Sequence, residues 1–200
     1  MKIITLLFIT LSAFTFREPA VSYKVDLKQS SVRWTGYYSF SFGEHTGTIN
    51  LTKGELSMTS DQLTGGNFEI DMNSLQDTDM PANDGGNDLT EHLKGDDFFS
   101  TTKFPSALFE ITKVEKVKDA TANQPNYDIT GTLTLKGIKN QLKFPASITS
   151  NGSTVKVQAK FKFDRTKWNV RYNSGRFFSD IGDGAISDAI GIELSLLATK

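Results

Sequence analysis

Apolar side chains recur at every second position along most of this chain. Phe68, Ile70 and Met72 alternate with Glu69 and Asp71, and Ala107, Phe109 and Ile111 share one parity. Tyr127, Ile129, Gly131, Leu133 and Leu135 are separated by Asp128 and by Thr130, Thr132 and Thr134. Leu142, Phe144, Ala146 and Ile148 form a further row. Val155, Val157, Ala159, Phe161 and Phe163 alternate with Lys156, Gln158, Lys160 and Lys162, and Ile190, Ile192, Leu194 and Leu196 close the series. Successive side chains of a strand point to opposite faces, so each row predicts a strand with one dry and one wet face. Upstream, Val32, Trp34, Gly36, Tyr38, Phe40 and Phe42 hold one parity, while Ile49 with Leu51 and Leu56 with Met58 read as two arms around a turn at Lys53-Gly54. Gly65-Gly66, Lys136-Gly137 and Asn151-Gly152 supply the remaining turn signals. About eight antiparallel strands on a short pitch, with no repeat and no linker, predict one all-β domain, a barrel or a sandwich.

One region breaks the alternation. Residues 74–97 are polar and rich in Asp, Asn and Gly, which predicts a long loop. Within it, Asp88-Leu89-Thr90-Glu91 has the spacing of a helix N-cap with an acid three residues on, leading into His92-Leu93-Lys94, and Gly95 ends the helix. Phe98-Phe99 and Phe104-Pro105 follow. Apolar and rigid residues beside a long loop point to a segment that folds back as a cap, with residues 74–99 as a candidate lid.

The N-terminus reads as an address. Residues 3–16 carry no charge and lie between Lys2 and Arg17. That run is shorter than the roughly 20 apolar residues of a membrane span. With small residues in Ala20-Val21-Ser22, it predicts a secretory signal peptide over residues 1–22, cut before Tyr23, and a β-barrel domain over 23–200. The expected location is periplasmic or secreted, with no stable membrane anchor. Among 200 residues, 22 Lys and Arg face 23 Asp and Glu, so there is no net basic field to hold nucleic acid. The absence of Cys removes disulfides, zinc–thiolate sites and cysteine nucleophiles.

Chemistry-bearing motifs are sparse. His45 and His92 stand in no metal-binding spacing, and each reads as a residue bonded to nearby backbone. Asp77, Asp79, Asn83, Asp84 and Asp88 resemble a calcium loop, but Pro81 occupies a ligand position and no acid closes it. No metal or cofactor is therefore expected. A Gly-x-Ser-x-Gly elbow is missing. The densest basic cluster, Arg165 and Lys167 with Arg171 and Arg176, is either a solvated strand end or an anion site. What remains is the apolar face. A barrel of about eight strands either fills its interior or leaves room for a small ligand. Gly36, Ala107, Gly131, Ala146 and Ala159 would leave space beside the Phe rings or fit the taper of a packed core, and alternation leaves both interiors open.

His92-Leu93-Lys94-Gly95-Asp96-Asp97-Phe98-Phe99, Lys103-Phe104-Pro105 and Ala107-Leu108-Phe109-Glu110 closely resemble the signature of the YceI-like family of exported, lipocalin-like proteins. The resemblance continues from Tyr127 through Ile138 and from Asp164 through Val170 to the closing strand. It implies an extended antiparallel barrel around an open apolar pocket. It also implies a binding function, since some members hold polyisoprenoids such as ubiquinone-type or prenyl-phosphate lipids. On that reading the lumen is lined by Trp34, by Phe68 and Ile70, by Phe98, Phe99 and Phe104 after the loop, and by Phe109. Ile129, Leu133 and Phe144 continue the lining, with Val157, Phe161, Phe163 and Trp168. Arg165, Lys167 and Arg171 are the headgroup candidates for a phosphate. A β-sheet adhesion or sugar-binding module would instead show exposed aromatics, and a lipid-modifying enzyme would place an acid and a base in the lumen. Pairing of two copies through strand edges stays open.

Overall fold

Among the described residues the alternating rows fold into nine strands, β1 Val21–Val25, β2 Ser31–Tyr38, β3 Glu44–Thr59, β4 Gln62–Asp77, β5 Ser106–Lys116, β6 Tyr127–Leu135, β7 Ile138–Ser150, β8 Thr154–Asp164 and β9 Ile186–Thr199. Among the described residues a single α-helix, α1, spans Asn87–Lys94. This computed structural model describes residues 18–121 and 124–200; most of the expected signal peptide therefore lies outside the described residues. All pairings are antiparallel, and the β3–β4 pairing closes the sheet into a barrel of eight staves. One stave is made of two pieces: β1 pairs the far half of β3 (Val21↔Met58), and β2 pairs its near half (Val32↔Ile49), both against β9. Between the pieces, the Asp26 carboxylate accepts the N–H groups of Lys28 and Gln29 and turns the chain. Every strand has a bonded neighbour on each side over at least part of its length.

Several elements differ from the expectations. β3 is one continuous strand, with no turn at Lys53-Gly54; a register shift between Leu51 and Lys53 moves its inner face from odd to even positions. An extra residue in a bulge has that effect on parity. The β3–β4 hairpin turns at Ser60-Asp61, both in the left-handed region (φ 48° and 59°), as a tight two-residue turn requires. Gly65-Gly66 lies inside β4, where a Cβ on Gly66 would come within 2.7 Å of the Glu55 carbonyl oxygen. β2 ends at Tyr38, opposite Ile186, the first residue of β9. One further backbone bond follows, from the Ser39 N–H to the Ala185 carbonyl at 2.8 Å, and past it Phe40 and Phe42, expected in the dry row, stand exposed.

The polar loop is shorter than predicted because β4 runs on to Asp77. The helix begins before Asp88: Gly86 occupies the N-cap without a side-chain bond, after an irregular turn at Ala82–Gly86. Gly95 ends the helix as expected, in an extended conformation, its N–H reaching the carbonyls of Glu91 and His92. His92 bonds a carboxylate and not the backbone, with Nε2 at 3.0 Å from Asp97 Oδ2.

The β7–β8 contact is unusual. Its paired register extends only from Ser147↔Gln158 to Ser150↔Val155, although both strands continue well beyond. Ile148 exchanges both backbone groups with the Asn126 side chain on the β6 side, so odd-numbered neighbours turn theirs toward β8. The next bond toward β8 would need the N–H of residue 145, which is proline and has none. The ladder stops there.

Two apolar clusters bracket the barrel axis. At one end Tyr23, Leu56, Met58, Ala146, Val155 and Ala198 pack into a solid stopper, and the Tyr23 hydroxyl donates to the Gly152 carbonyl at 2.9 Å. At the other, Leu93 of α1 and the following Phe98-Phe99 pack on Met72, Leu75, Ala107 and Leu135.

Candidate functional site

Between the two clusters lies a cavity of about 280 Å³. Its wall is made by the inward rows of the strands. Phe68, Phe109, Phe144 and Phe161 follow one another around the barrel, with ring centroids 6.3, 5.7 and 4.1 Å apart, the last pair stacked nearly parallel. Phe109 of β5 reaches Phe144 of β7 across the intervening β6 only because Gly131 stands between them. A Cβ there would lie 2.2 Å from the Phe109 Cζ. Gly47 gives the Trp34 indole its place in the same way, at 2.3 Å. Phe68, Phe109, Phe161, Leu133, Ile190 and Ile192 point inward yet remain only half-buried. An inward side chain that keeps accessible surface borders a hollow, so the interior is not filled by its own side chains.

All of the expected lumen residues line this cavity except Phe104 and Trp168. Phe104 lies over Gly137 in the β6–β7 turn. Trp168 is fully buried behind the wall, edge-on to Phe163 at 5.3 Å, with its indole N–H donating to the Leu133 carbonyl at 3.0 Å. A tryptophan carries a polar N–H that needs a partner when buried, and here the wall's backbone supplies it.

The three headgroup candidates do not come together. Arg165 borders the cavity, but its guanidinium is committed to backbone: Nε donates to the Ser187 carbonyl, Nη1 to Val170 and Nη2 to Ile186, at 3.0 to 3.1 Å. It holds the start of β9 against the short turn at Arg165–Trp168, and burial pushes its pKa down. Lys167 is exposed and outside the lining, and Arg171 lies over the ring of Phe177, 4.3 Å from its centroid. Besides Arg165, the polar residues that border the cavity are Tyr37, Tyr38, His45 and Ser187. The His45 ring sits edge-on to Tyr38 at 5.9 Å. His45 shares the odd parity of Ile49 and Leu51 at the start of β3, but a row read only from apolar residues passed over it. No carboxylate is among the described residues of the lining.

A closed antiparallel barrel, stoppered at one end and hollow at its centre, with an apolar wall and a sparse polar rim, is a lipocalin-like cavity protein. The chain belongs to the YceI-like family: the YceI-like domain matches residues 23–198. A UPF0312 protein of Pseudomonas putida is 26% identical over 90% of this chain and 88% of its own length. One from Shewanella denitrificans is 31% identical over 66% of this chain and 65% of that relative. Among solved structures, Burkholderia cenocepacia BcnA superposes with a TM-score of 0.65 at 22% identity, covering 88% of this chain and 99% of BcnA. A polyisoprenoid binding domain from Saccharophagus degradans, implicated in plant cell wall breakdown, superposes at 0.62 and 14% identity, over 88% and 97%. At those identities the two structures speak for the fold.

Proposed function

We propose that this protein is an exported, non-enzymatic binder that holds one long apolar molecule of the polyisoprenoid or quinone type in the barrel lumen, for transport, storage or sequestration. The observation that carries this reading is the hollow, Phe-lined interior whose inward side chains stay half-buried. The solved domain from S. degradans, described as polyisoprenoid binding, supports it by fold. A cavity of about 280 Å³ is near the small end of ligand pockets and suits a single slender chain. Each buried CH2 contributes about 0.8 kcal/mol, so an isoprene unit contributes on the order of 4 kcal/mol before the loss of translational and chain freedom. A few units suffice for useful affinity without a committed headgroup contact. The residues expected to touch the chain are the rings of Phe68, Phe109, Phe144 and Phe161.

The test uses the free space in the wall. Gly36 lines the cavity, and a Cβ there meets nothing within 4 Å. Gly36→Phe therefore fills the lumen with little cost to the fold. Organic extraction of the wild-type protein should release an isoprenoid or similar long apolar molecule, detected by mass spectrometry, and the variant should release none while melting within a few degrees of wild type. Equal recovery from both proteins, or no lipid and no thermal shift with added quinones and prenyl phosphates, would overturn the reading.

A further inference from the structure

One group of side chains at the barrel rim is not explained by an apolar occupant. β3 and β4 pair Gly47 with Asp77, and the Thr78 N–H donates to the Thr46 carbonyl at 2.9 Å. This brings Asp77 and Asp79 beside His45, more than thirty residues earlier in the chain. A ring nitrogen of His45 and one carboxylate oxygen from each Asp lie within 4.8 Å of one another. Each carboxylate is fixed by a backbone donor through one oxygen: the Thr46 N–H donates to Asp79 Oδ1 at 2.8 Å and the Met80 N–H to Asp77 Oδ1 at 3.0 Å. The second oxygens are left for something else. Asp79 Oδ2 is 3.2 Å from His45 Nδ1, while Asp77 Oδ2 is buried with no partner, in a residue only 5% exposed.

We propose that His45, Asp77 and Asp79 form a binding site for a divalent transition metal of the zinc type at the barrel rim. Ionised carboxylates only accept hydrogen bonds, so two of them turned toward each other need a positive centre between them. A His45–Asp79 ion pair alone leaves Asp77 Oδ2 stranded; a shared cation satisfies all three groups. Imidazole nitrogen with two carboxylate oxygens is a donor set zinc accepts, with bonds of about 2.0–2.2 Å and three protein ligands leaving one position open. Tetrahedral bonds of that length set neighbouring donors about 3.3 Å apart, close to the gap between His45 Nδ1 and Asp79 Oδ2. Calcium, which takes six to eight oxygens, fits this set poorly. Anchoring of both carboxylates by backbone N–H groups is the outer support that metal sites use to orient their ligands. The site stands on these contacts whether or not the lumen holds a lipid.

The experiment titrates the untagged, chelator-stripped protein with Zn²⁺ against a chromophoric competitor, and repeats the loading with Co²⁺ to read its visible d–d absorption. The expected result is one equivalent of zinc, weakened by about tenfold or more in His45→Ala and in Asp79→Asn, at least the loss seen when an outer-shell partner of a ligand is removed. The cobalt bands should disappear in His45→Ala. His92→Ala, which changes the other histidine, should bind as wild type does. Both ligand variants alter partly exposed side chains, and thermal melting checks that they fold. No stoichiometric zinc in the wild type would mean that a shared proton bridges the carboxylates, and would overturn the proposal. Zinc that persists in both ligand variants, or that is lost with His92, would overturn it as well.

Discussion

At the scale of single residues, glycine and its large neighbours set the shape of the cavity. Gly131 is the clearest case, because the atoms crowding its missing Cβ include the Glu110 carbonyl oxygen at 2.6 Å as well as the Phe109 ring. A ring can rotate away, but a backbone carbonyl in a paired strand cannot. Gly131→Ala should therefore cost about 1–3 kcal/mol by overpacking, read as a lower urea midpoint at unchanged slope. Asp164 gives a pH prediction. Burial alone would raise its carboxyl, but the Thr166 side chain and N–H, and then Arg176, hold it below the ordinary range. A carboxyl lowered in the folded state stabilises the fold above its unfolded value of about 3.9 and loses that contribution as pH falls through the folded value. Arg176→Ala narrows the gap, so its acid unfolding midpoint, followed by circular dichroism, should lie at higher pH than that of wild type. Residue roles were legible where a side chain faces the lumen, as with Phe109 or Phe161. They were not legible for Arg165, whose charge in the sequence gives no sign that three backbone carbonyls consume it.

At the scale of elements, period-two alternation located the strands from β5 onward with little error. It failed where a strand changes parity or loses its partner. The bulge after Leu51 made β3 look like a hairpin, and Phe40 and Phe42 kept the rhythm of β2 past its last partner at the start of β9. The segment after α1 is held by a contact that no spacing rule displays: the Lys136 ammonium, in the β6–β7 turn, donates to the Phe98 carbonyl. Charge-assisted bonds of this kind contribute about 1.5–3 kcal/mol. Lys136→Met should raise amide exchange across residues 95–104 about tenfold or more while leaving β8 and β9 unchanged, measured by hydrogen–deuterium exchange. Exchange that stays at the wild-type rate would show that Phe98 and Phe99 hold the cap by packing alone.

For the whole molecule, the closed topology and the family were legible because the resemblance runs through most strands, and the hollow interior was implied by it. The rim cluster was not, since the chain separation of His45 from Asp77 and Asp79 is bridged only by a bulged strand pair. The expected maturation cut before Tyr23 also belongs to this scale. It would remove Val21 and Ser22 from β1 and leave Tyr23, whose ring and hydroxyl close the stoppered end, as the first residue. Intact mass of the protein recovered from the periplasm or medium should correspond to residues 23–200, and an uncleaved mass would refute the reading of residues 1–22.

Pro145 has an effect beyond its own position. Above it, β7 and β8 are joined through side chains, chiefly the stacked rings of Phe144 and Phe161, and not through a continued ladder. Elsewhere, widening the cylinder means breaking backbone bonds in sequence; along this flank it means sliding two flat rings apart. The wall therefore has a built-in seam along this flank, where parting two strands costs ring contacts and no ladder bonds.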